Sequence, residues 1–487
     1  MQKRYVFIYL AVIVLGIGLI PLNLFVLFLP EWITVVFSAV SVFLLVLFYL
    51  KANGKLPSKI ILTAITVLAS GFMLFGSYCN PYWNSVVFKG YGDLSSSDKT
   101  LTLAQAKADT DYMMKYLNKV HPVFLNGEPA DIRIAYKKAL DRLKNQPKIT
   151  VLSLHQQLQS ILSLLHDGHT TTYTNNQNIH YLKQLYRLSA NGFRIVKING
   201  ISIKDLFAKK SYLFSRDVDS YGINRLEGYL SIREGLDFLG IDPDGVRYTY
   251  ESPAGKISTV TYHASDFVTY DAYRAYNAIS QNAEDPFVSY KIYKDKSTAV
   301  LTLTACEYND EYRNCLKAMF KEVKAKGIKN VAVDLRNNGG GNSAVADEFL
   351  RYLNINTYNS ESYDWRLGFL NTPSGDGQTD NKKYTGLTFN GKLYLLTSVD
   401  TFSSAMLFAE YIKDNRLGTM IGEAPGENVT GYGELSIFSL PNSKLLFAVS
   451  SKHFFRIDKT ARENQLIPDI ACSSGDALNV LLKTVKS

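Results

Sequence analysis

The chain has 487 residues, too many for one ordinary hydrophobic core, and its apolar and charged fractions of 46% and 20% are usual for globular proteins. The net charge of +9 is not organised into basic clusters around a nucleic-acid-binding motif, so no nucleic-acid partner is predicted. The four cysteines form no CxxC pair, which argues against a zinc site or a thioredoxin-like motif.

The first 80 residues hold a disproportionate share of the apolar side chains. Three stretches, residues 5–29, 32–50 and 60–78, each approach the roughly 20 residues that a helix needs to cross a bilayer. A cleaved signal peptide would have a shorter apolar region and would not be followed by two further spans. Residues 1–80 are therefore predicted to be a membrane region of three helices.

Basic residues near these spans predict their orientation. Lys3 and Arg4 precede the first span, and Lys51, Lys55 and Lys59 lie between the second and third, whereas the loop between the first and second has no basic residue. Loops rich in lysine and arginine stay in the cytoplasm. We therefore expect a multi-pass protein of the cell membrane with a cytoplasmic N-terminus and an extracytoplasmic remainder.

A polar linker is predicted at residues 81–100, before the soluble part begins. Residues 101–180 are predicted to form a helical cap, because apolar residues recur every three or four positions at 101–120, 132–143 and 151–165. The cap ends in the tract LLHDGHTTTY.

Two further regions are predicted after the cap. Residues 181–285 contain short β-type runs separated by glycines, and Asn199-Gly200 in FRIVKINGISI is a hairpin signal, so a strand-rich insert is expected. Residues 286–487 alternate strand-like and helical patterns, which is typical of a layered α/β fold. The helical patterns lie at residues 312–326, 344–353 and 403–414.

The first candidate for chemistry is a glycine loop. An apolar strand at residues 331–335 runs into Gly339, Gly340 and Gly341 and then into a helix. Glycines let backbone N–H groups approach an oxygen, as an oxyanion hole or a phosphate loop requires. Phosphate binding is the weaker interpretation because neither GK[ST] nor GxGxxG is present, and a tight turn is the structural alternative.

The second candidate is the serine pair Ser403-Ser404, which follows a strand and begins an amphipathic helix. The positive end of a helix favours negative charge developing on an attacked carbonyl. An ordinary helix N-cap is the alternative for either serine.

The third candidate is the pair His166 and His169 in LLHDGHTTTY. A neutral imidazole is the usual base for a serine nucleophile. Two histidines at this spacing also suit a metal, but no third ligand is evident, and a single histidine in such a tract is often structural.

The ordered set DLRNNGGGN, DTFSSAMLFAEYIKD, MIGE and ENQLIPDI resembles the C-terminal-processing (tail-specific) and tricorn-core serine peptidases, from about residue 101 to the end of the chain. The resemblance implies a crotonase/ClpP-like layered α/β core. It also implies Ser403 as nucleophile, with Ser404 as the alternative nucleophile and as a backbone N–H donor. The second oxyanion donor is then Gly340, with Gly339 and Gly341 as alternatives in register.

The sequence departs from the lysine-using branch of that family. In the tract GEAPGENVTGYG, Asn428 stands where the processing peptidases have their lysine base. The tricorn-like branch takes a histidine from the cap and a glutamate before the terminal PDI, which here implies His169 and Glu463. The predicted triad is therefore Ser403, His169 and Glu463.

Several residues remain as alternatives. His166 is the rival base, Asp167 and Asp458 are rival orienting carboxylates, and Lys444 and Lys452 are the nearest lysines downstream. The insert resembles part of a PDZ domain but lacks a clear GLGF-type carboxylate-binding loop.

The resemblance implies a serine endopeptidase that acts on peptides or proteins without a metal or other cofactor, and the three predicted spans, which the resemblance does not cover, would anchor it in the membrane. The alternative is a catalytically inactive peptide- or ligand-binding protein with the same fold, since a fold alone does not imply a function.

Overall fold

The computed structural model describes residues 2–51, 56–93, 96–174, 178–279, 286–375 and 377–485. Lys55, used above for the orientation, and Leu94 and Ser95 of the predicted linker lie outside the described residues.

In chain order, the helices are α1 (Gln2–Phe25), α2 (Trp32–Lys51), α3 (Leu56–Tyr78), α4 (Leu103–Val120), α5 (Ala130–Lys144), α6 (Val151–Leu162), α7 (Leu185–Ala190), α8 (Ile203–Lys210), α9 (Asp219–Tyr229), α10 (Arg233–Leu239), α11 (Tyr270–Asn277), α12 (Asp310–Ala325), α13 (Ala344–Leu350), α14 (Ser404–Asp414) and α15 (Ala477–Thr484). The strands are β1 (Thr100–Leu101), β2 (Ile149–Thr150), β3 (Thr171–Tyr173), β4 (His180–Leu182), β5 (Arg194–Ile198), β6 (Ile201–Ser202), β7 (Val246–Glu251), β8 (Ile257–Tyr262), β9 (Phe267–Thr269), β10 (Val288–Tyr293), β11 (Thr298–Leu303), β12 (Asn330–Asp334), β13 (Thr357–Asn359), β14 (Ser362–Leu367), β15 (Leu370–Pro373), β16 (Gln378–Asp380), β17 (Lys392–Thr397), β18 (Gly418–Gly422), β19 (Gly431–Ser439), β20 (Leu446–Phe455) and β21 (Ile470–Ala471).

Helices α1, α2 and α3 are long and apolar enough to cross a membrane. Their side chains are apolar on nearly all sides, as expected of helices surrounded by lipid. Polar side chains lie between the helices instead, for example Thr34 and Ser77, whose hydroxyl oxygens are 2.6 Å apart. The described residues of this region thus form the three helices that the sequence predicted.

The cap helices begin where their capping residues predict. Thr102 and Gln105 form a reciprocal capping box at the start of α4, and Thr150 and Ser153 form another at the start of α6. Both helices bury an apolar face against Phe438 and Phe447 of the β19–β20 ribbon. The cap is therefore attached to the sheet that borders the site described below.

The central sheet has the order β10-β11-β12-β17-β18-β21, and all its strands except β10 run parallel. Helices α12, α13 and α14 share one apolar core on one face, and α15 packs on the other. This is the layered α/β core that the alternating pattern predicted.

A second sheet has the order β15-β14-β20-β19, and β3 pairs with β20 at its margin. The insert forms a four-stranded sheet, β6-β5-β7-β8, and also contains helices α7 to α11. The predicted hairpin is confirmed: Asn199 and Gly200 both have positive φ, 49° and 82°, as a tight two-residue turn requires. The strand and hairpin patterns thus predicted the sheet of the insert, whereas its helices were not predicted.

Candidate active site

Three loops meet at one edge of the central sheet. The glycine loop follows β12, Ser403 follows β17, and Glu427 follows β18. These strands are parallel neighbours, so their carboxyl ends lie side by side. Ligands of open α/β sheets bind at this kind of edge.

Ser403 has a strained backbone. It lies immediately before α14 with φ of 55° and ψ of −131°, a region that residues with a side chain rarely adopt. Its N–H donates to Glu427 Oε2 at 2.5 Å, and its carbonyl accepts from Leu407 N–H at 3.0 Å. The hydrogen bond to the buried carboxyl group of Glu427 helps to hold the serine in this conformation, and strained strand-to-helix turns of this kind carry the nucleophile of α/β-hydrolases.

The glycine loop packs against the serine. A Cβ on Gly340, whose φ is 103°, would come within 2.5 Å of Ser403 Cβ, so only glycine fits there. Asn338 joins the two loops, because its carbonyl accepts from Phe402 N–H at 3.0 Å. Its side-chain oxygen also accepts from Gly340 N–H at 2.9 Å.

This hydrogen bond bears on the predicted oxyanion donor. Gly340 N–H, the predicted donor, is already bonded to Asn338, whereas Gly339 and Gly341 border the cavity. Ser404 also borders the cavity at the N-terminus of α14, and its side chain donates to Gly341 carbonyl at 2.7 Å. The geometry therefore favours the two register alternatives over Gly340.

His169 reaches the site from the cap, two residues before β3. Its imidazole is almost completely buried and packs on Phe402, with the ring centroids 4.6 Å apart. Nδ1 lies 3.5 Å from Glu427 Oε1 and 3.8 Å from Asp167 Oδ1. Burial lowers the pKa of His169 below its ordinary value, although the charge of Asp167 opposes this.

Three buried carboxyl groups surround this histidine. Burial, together with the charge of Asp217, raises the pKa of Glu427 well above its ordinary value. Burial and the charge of Asp167 raise the pKa of Asp217 in the same way, and Asp217 accepts from Gly168 N–H at 2.8 Å. Glu427 and Asp217 are thus held as neutral acids more readily than free carboxyl groups are.

Asp167 is the exception among the three. Burial would raise the pKa of Asp167, but hydrogen bonding to His121 and the charges of His121 and His169 outweigh it, so this pKa is lowered. Its oxygens accept from His169 N–H at 2.8 Å and from Ser450 hydroxyl at 2.7 Å. Asp167 therefore supports the backbone of His169.

The cavity at these loops has a volume of about 740 Å³. Ser403, His169 and Glu427 line it together, at the junction of α14 with the β19–β20 ribbon. The structure thus brings together the predicted nucleophile, the predicted base and the glycine loop.

The structure does not bring Glu463 to this site. Its side chain is exposed, and its backbone carbonyl accepts from Arg456. Glu427 lies beside His169 instead. It belongs to the tract GEAPGEN, one position before Asn428, so the tract that lacks the lysine contained a signal for it.

Of the remaining alternatives, Asp167 lies beside His169, whereas the others are exposed or engaged with other residues. His166 is exposed at the end of a short 3-10 turn, Asp458 is engaged with Thr460, and Lys444 lies 3.9 Å from Asp93. Lys452 lines the cavity but forms an ion pair with Glu434 at 3.0 Å. Asp217, which the sequence analysis missed, lies in the insert without a distinguishing motif.

Residues 297–472 match the sequence model of peptidase family S41, and no curated protein sequence matches the chain. The structure resembles mature CPAF with a TM-score of 0.57 and 12% sequence identity, covering 79% of this chain and 96% of that one. For mature CPAF complexed with lactacystin, the TM-score is 0.56 at 12% identity, with 79% and 97% covered. For the photosystem II D1 C-terminal processing protease, the TM-score is 0.45 at 12% identity, with 80% and 98% covered. The CPAF comparisons indicate a shared fold.

Proposed function

We propose that this chain is a serine-type endopeptidase that forms an acyl-enzyme on Ser403; its residues 297–472 match the sequence model of peptidase family S41. His169 is the general base, and Glu427 replaces Glu463 as the orienting carboxyl group. The observation that carries this proposal is one cavity lined by Ser403 in a strained conformation, a buried histidine and a glycine loop.

In the proposed reaction, neutral His169 takes the proton of the Ser403 hydroxyl as its oxygen attacks the scissile carbonyl, and then gives that proton to the leaving amine. A water molecule then hydrolyses the acyl-enzyme with the same base. Burial favours the neutral imidazole that the first step needs, because it lowers the pKa of His169.

The negative charge of the tetrahedral intermediate needs backbone donors. Ser404 N–H lies at the N-terminus of α14, where the helix dipole also favours negative charge. We assign the second donor to the N–H group of either Gly339 or Gly341, both of which border the cavity. Gly340 instead provides the close approach between its loop and Ser403.

Glu427 has two roles in this proposal. One oxygen accepts from Ser403 N–H, and the other lies 3.5 Å from His169 Nδ1. A positive charge developing on the imidazole would favour the ionised form of Glu427, which then stabilises the imidazolium.

We further propose that the peptidase is anchored in the cell membrane with its catalytic part extracytoplasmic. Glu31, in the loop between α1 and α2, pairs with Lys115 and Lys119 of the cap at 3.0 and 3.4 Å. These contacts support the proposal that this loop and the cap lie on the same side of the membrane, in agreement with the distribution of basic residues.

The experiment is hydrolysis of internally quenched peptides by the full-length protein in detergent. Ser403→Ala and His169→Ala should each lower kcat/KM by about three orders of magnitude or more, because triad members act as a unit. Ser404→Ala should keep appreciable activity, because its backbone N–H remains. If Ser404→Ala were inactive and Ser403→Ala kept its activity, Ser404 would be the nucleophile. Undiminished hydrolysis by both serine variants would exclude the proposed active site.

A further inference from the structure

The active-site cavity extends along one face of α14. Ser403, Met406, Leu407 and Glu410 all line it, at the three-, four- and seven-residue spacings that place side chains on one side of a helix. Seven residues of helix correspond to about 10 Å. The cavity therefore leads from the serine toward a carboxyl group two turns away.

Apolar side chains also line this cavity, together with Lys452, which forms an ion pair with Glu434. Val429, Phe454 and Phe455 line the same cavity, and Glu361 lines it as a second carboxyl group. A channel with apolar walls and an acidic end suits the aliphatic stem and charged head of lysine or arginine.

Glu410 has no cationic partner among the described residues. The residue is only 2% exposed, and within the described part of the chain its side chain accepts one hydrogen bond, from Ile457 N–H at 2.7 Å to Oε1. The neighbouring Arg456 is committed to Asp414, with N···O distances of 2.9 and 3.0 Å. A buried carboxyl group that ionises usually has a cation or several donors, so the ionised form of Glu410 lacks a partner that a ligand could supply.

From this geometry, and on the premise of the proposed function, we infer that the cavity is a specificity subsite for a basic side chain next to the scissile bond. Glu410 contacts the ammonium or guanidinium group, and Glu361 is a second carboxyl group at the same end. The substrates are then peptides or proteins cleaved beside lysine or arginine.

The ionisation of Glu410 gives this subsite a pH dependence. Burial, with smaller effects from the charges of Asp414 and Glu361, raises the pKa of Glu410 to about 8, although the hydrogen bond from Ile457 N–H and the charge of Arg456 oppose this. Glu427 also faces this group through its charge. Because a raised pKa keeps the carboxyl group neutral at lower pH, the preference for a cation should strengthen as pH rises toward and through 8.

The test compares two quenched peptides that differ only in arginine or citrulline beside the scissile bond, because citrulline has nearly the same shape and no charge. At a pH above the pKa of Glu410, wild type should cleave the arginine peptide about tenfold faster or more in kcat/KM, as expected for a hydrogen-bonded buried charge. Glu410→Gln should bring the two rates within about twofold, mainly by lowering kcat/KM for the arginine peptide. Glu311→Gln, an exposed change on α12, is the matched control and should keep the preference.

The outcomes separate this inference from the proposed function. Cleavage of both peptides at equal rates by wild type would overturn the basic subsite while leaving the peptidase intact, and so would a preference that Glu410→Gln retains. Loss of all cleavage only in Ser403→Ala would support the peptidase in either case. If Glu410→Gln does not fold, as judged by its melting temperature, the wild-type arginine-to-citrulline ratio between pH 6.5 and 9 decides: a flat ratio near one contradicts the inference.

Discussion

Ser403 lines the cavity, and its backbone has a conformation that residues with a side chain rarely adopt. Strained residues of this kind cost on the order of 1–3 kcal/mol and persist only where the surroundings impose them. Here the surroundings are the hydrogen bond from Ser403 N–H to Glu427 and the close packing of Gly340. The strain is therefore a measurable property of the site, independent of any substrate.

The first prediction concerns this strain. Ser403→Gly should be more stable than Ser403→Ala by about 1 kcal/mol, because glycine tolerates positive φ and its greater flexibility in the unfolded chain only partly offsets the gain. Both variants should be inactive and keep the backbone hydrogen bond to Glu427. Thermal unfolding of the two purified variants measures the difference. An alanine variant as stable as the glycine variant would mean that Ser403 is not strained.

The second prediction concerns the pH dependence of the base. Imidazole is the active form, so activity should be present above the pKa of His169 and lost as pH falls through it. Because burial lowers this pKa, the acidic limb of kcat/KM should lie below the ordinary value of about 6.5. A pH profile with an uncharged substrate measures it. An acidic limb of kcat/KM that lies well above pH 7, with the same shape in wild type and in a variant substituted at Glu427, would favour a lysine base.

The third prediction compares the two glutamates. Glu427→Gln should lower kcat on the order of a hundredfold or more, because it removes the carboxylate beside the imidazole. Glu463→Gln should have little effect, since its side chain is exposed and the structure keeps it apart from the cavity. Steady-state kinetics of the two variants give the comparison. A large loss in Glu463→Gln with little change in Glu427→Gln would restore the original triad.

At the level of secondary structure, the site depends on elements from two sheets. The central sheet supplies the serine, the glycine loop and Glu427, whereas His169 arrives beside β3, which pairs with β20 of the second sheet. Gln159 of α6 supports that strand: its side-chain oxygen accepts from Thr172 N–H at 3.1 Å and from Thr171 hydroxyl at 3.1 Å. The buried amide thus positions the segment that carries the base.

The fourth prediction tests this positioning role. Gln159→Ala should lower kcat about tenfold with a smaller change in KM, because the strand beside His169 loses its support while the rest of the cavity is kept. Gln156→Ala is the control on the same helix, since Gln156 donates to Phe238 carbonyl in the insert and not to this strand. If the two variants lose kcat equally, the effect belongs to general loosening of the cap rather than to His169.

Much of this arrangement could be predicted from local sequence. The three N-terminal helices, the cap helices and the strand–helix alternation of the core follow from apolar periodicity, and the Asn199-Gly200 turn follows from its residue types. The choice of Glu463 rested on its place before PDI. Which loops meet depends on strand order, and no local pattern reveals that β12, β17 and β18 are neighbours.

Across the whole molecule, the catalytic part lies against one end of the helical bundle. Besides the ion pairs of Glu31, Trp83 indole N–H donates to Leu29 carbonyl at 2.9 Å, and Lys119 donates to Ser77 carbonyl at 2.7 Å. In the proposed topology, the ends of α1 and α3 that make these contacts share a side of the membrane with the cap. Three spans would then place the N-terminus on the opposite side.

The fifth prediction concerns that topology. Protease added outside intact cells should cleave beyond residue 92, whereas a tag on the N-terminus should stay protected until the membrane is permeabilised. Immunoblotting with antibodies to both ends reads the result. Digestion of the tag together with protection of every site beyond residue 92 would reverse the proposed orientation.

The central claim is that Ser403 is a nucleophile activated by His169 within one cavity. Its most direct test is reaction of the full-length protein with a fluorophosphonate, followed by peptide mapping with mass spectrometry. The account predicts a single phosphonyl adduct on Ser403, strongly slowed in His169→Ala and at the wild-type rate in Glu463→Gln. An adduct on Ser404, or labelling of Ser403 that does not depend on His169, would contradict it.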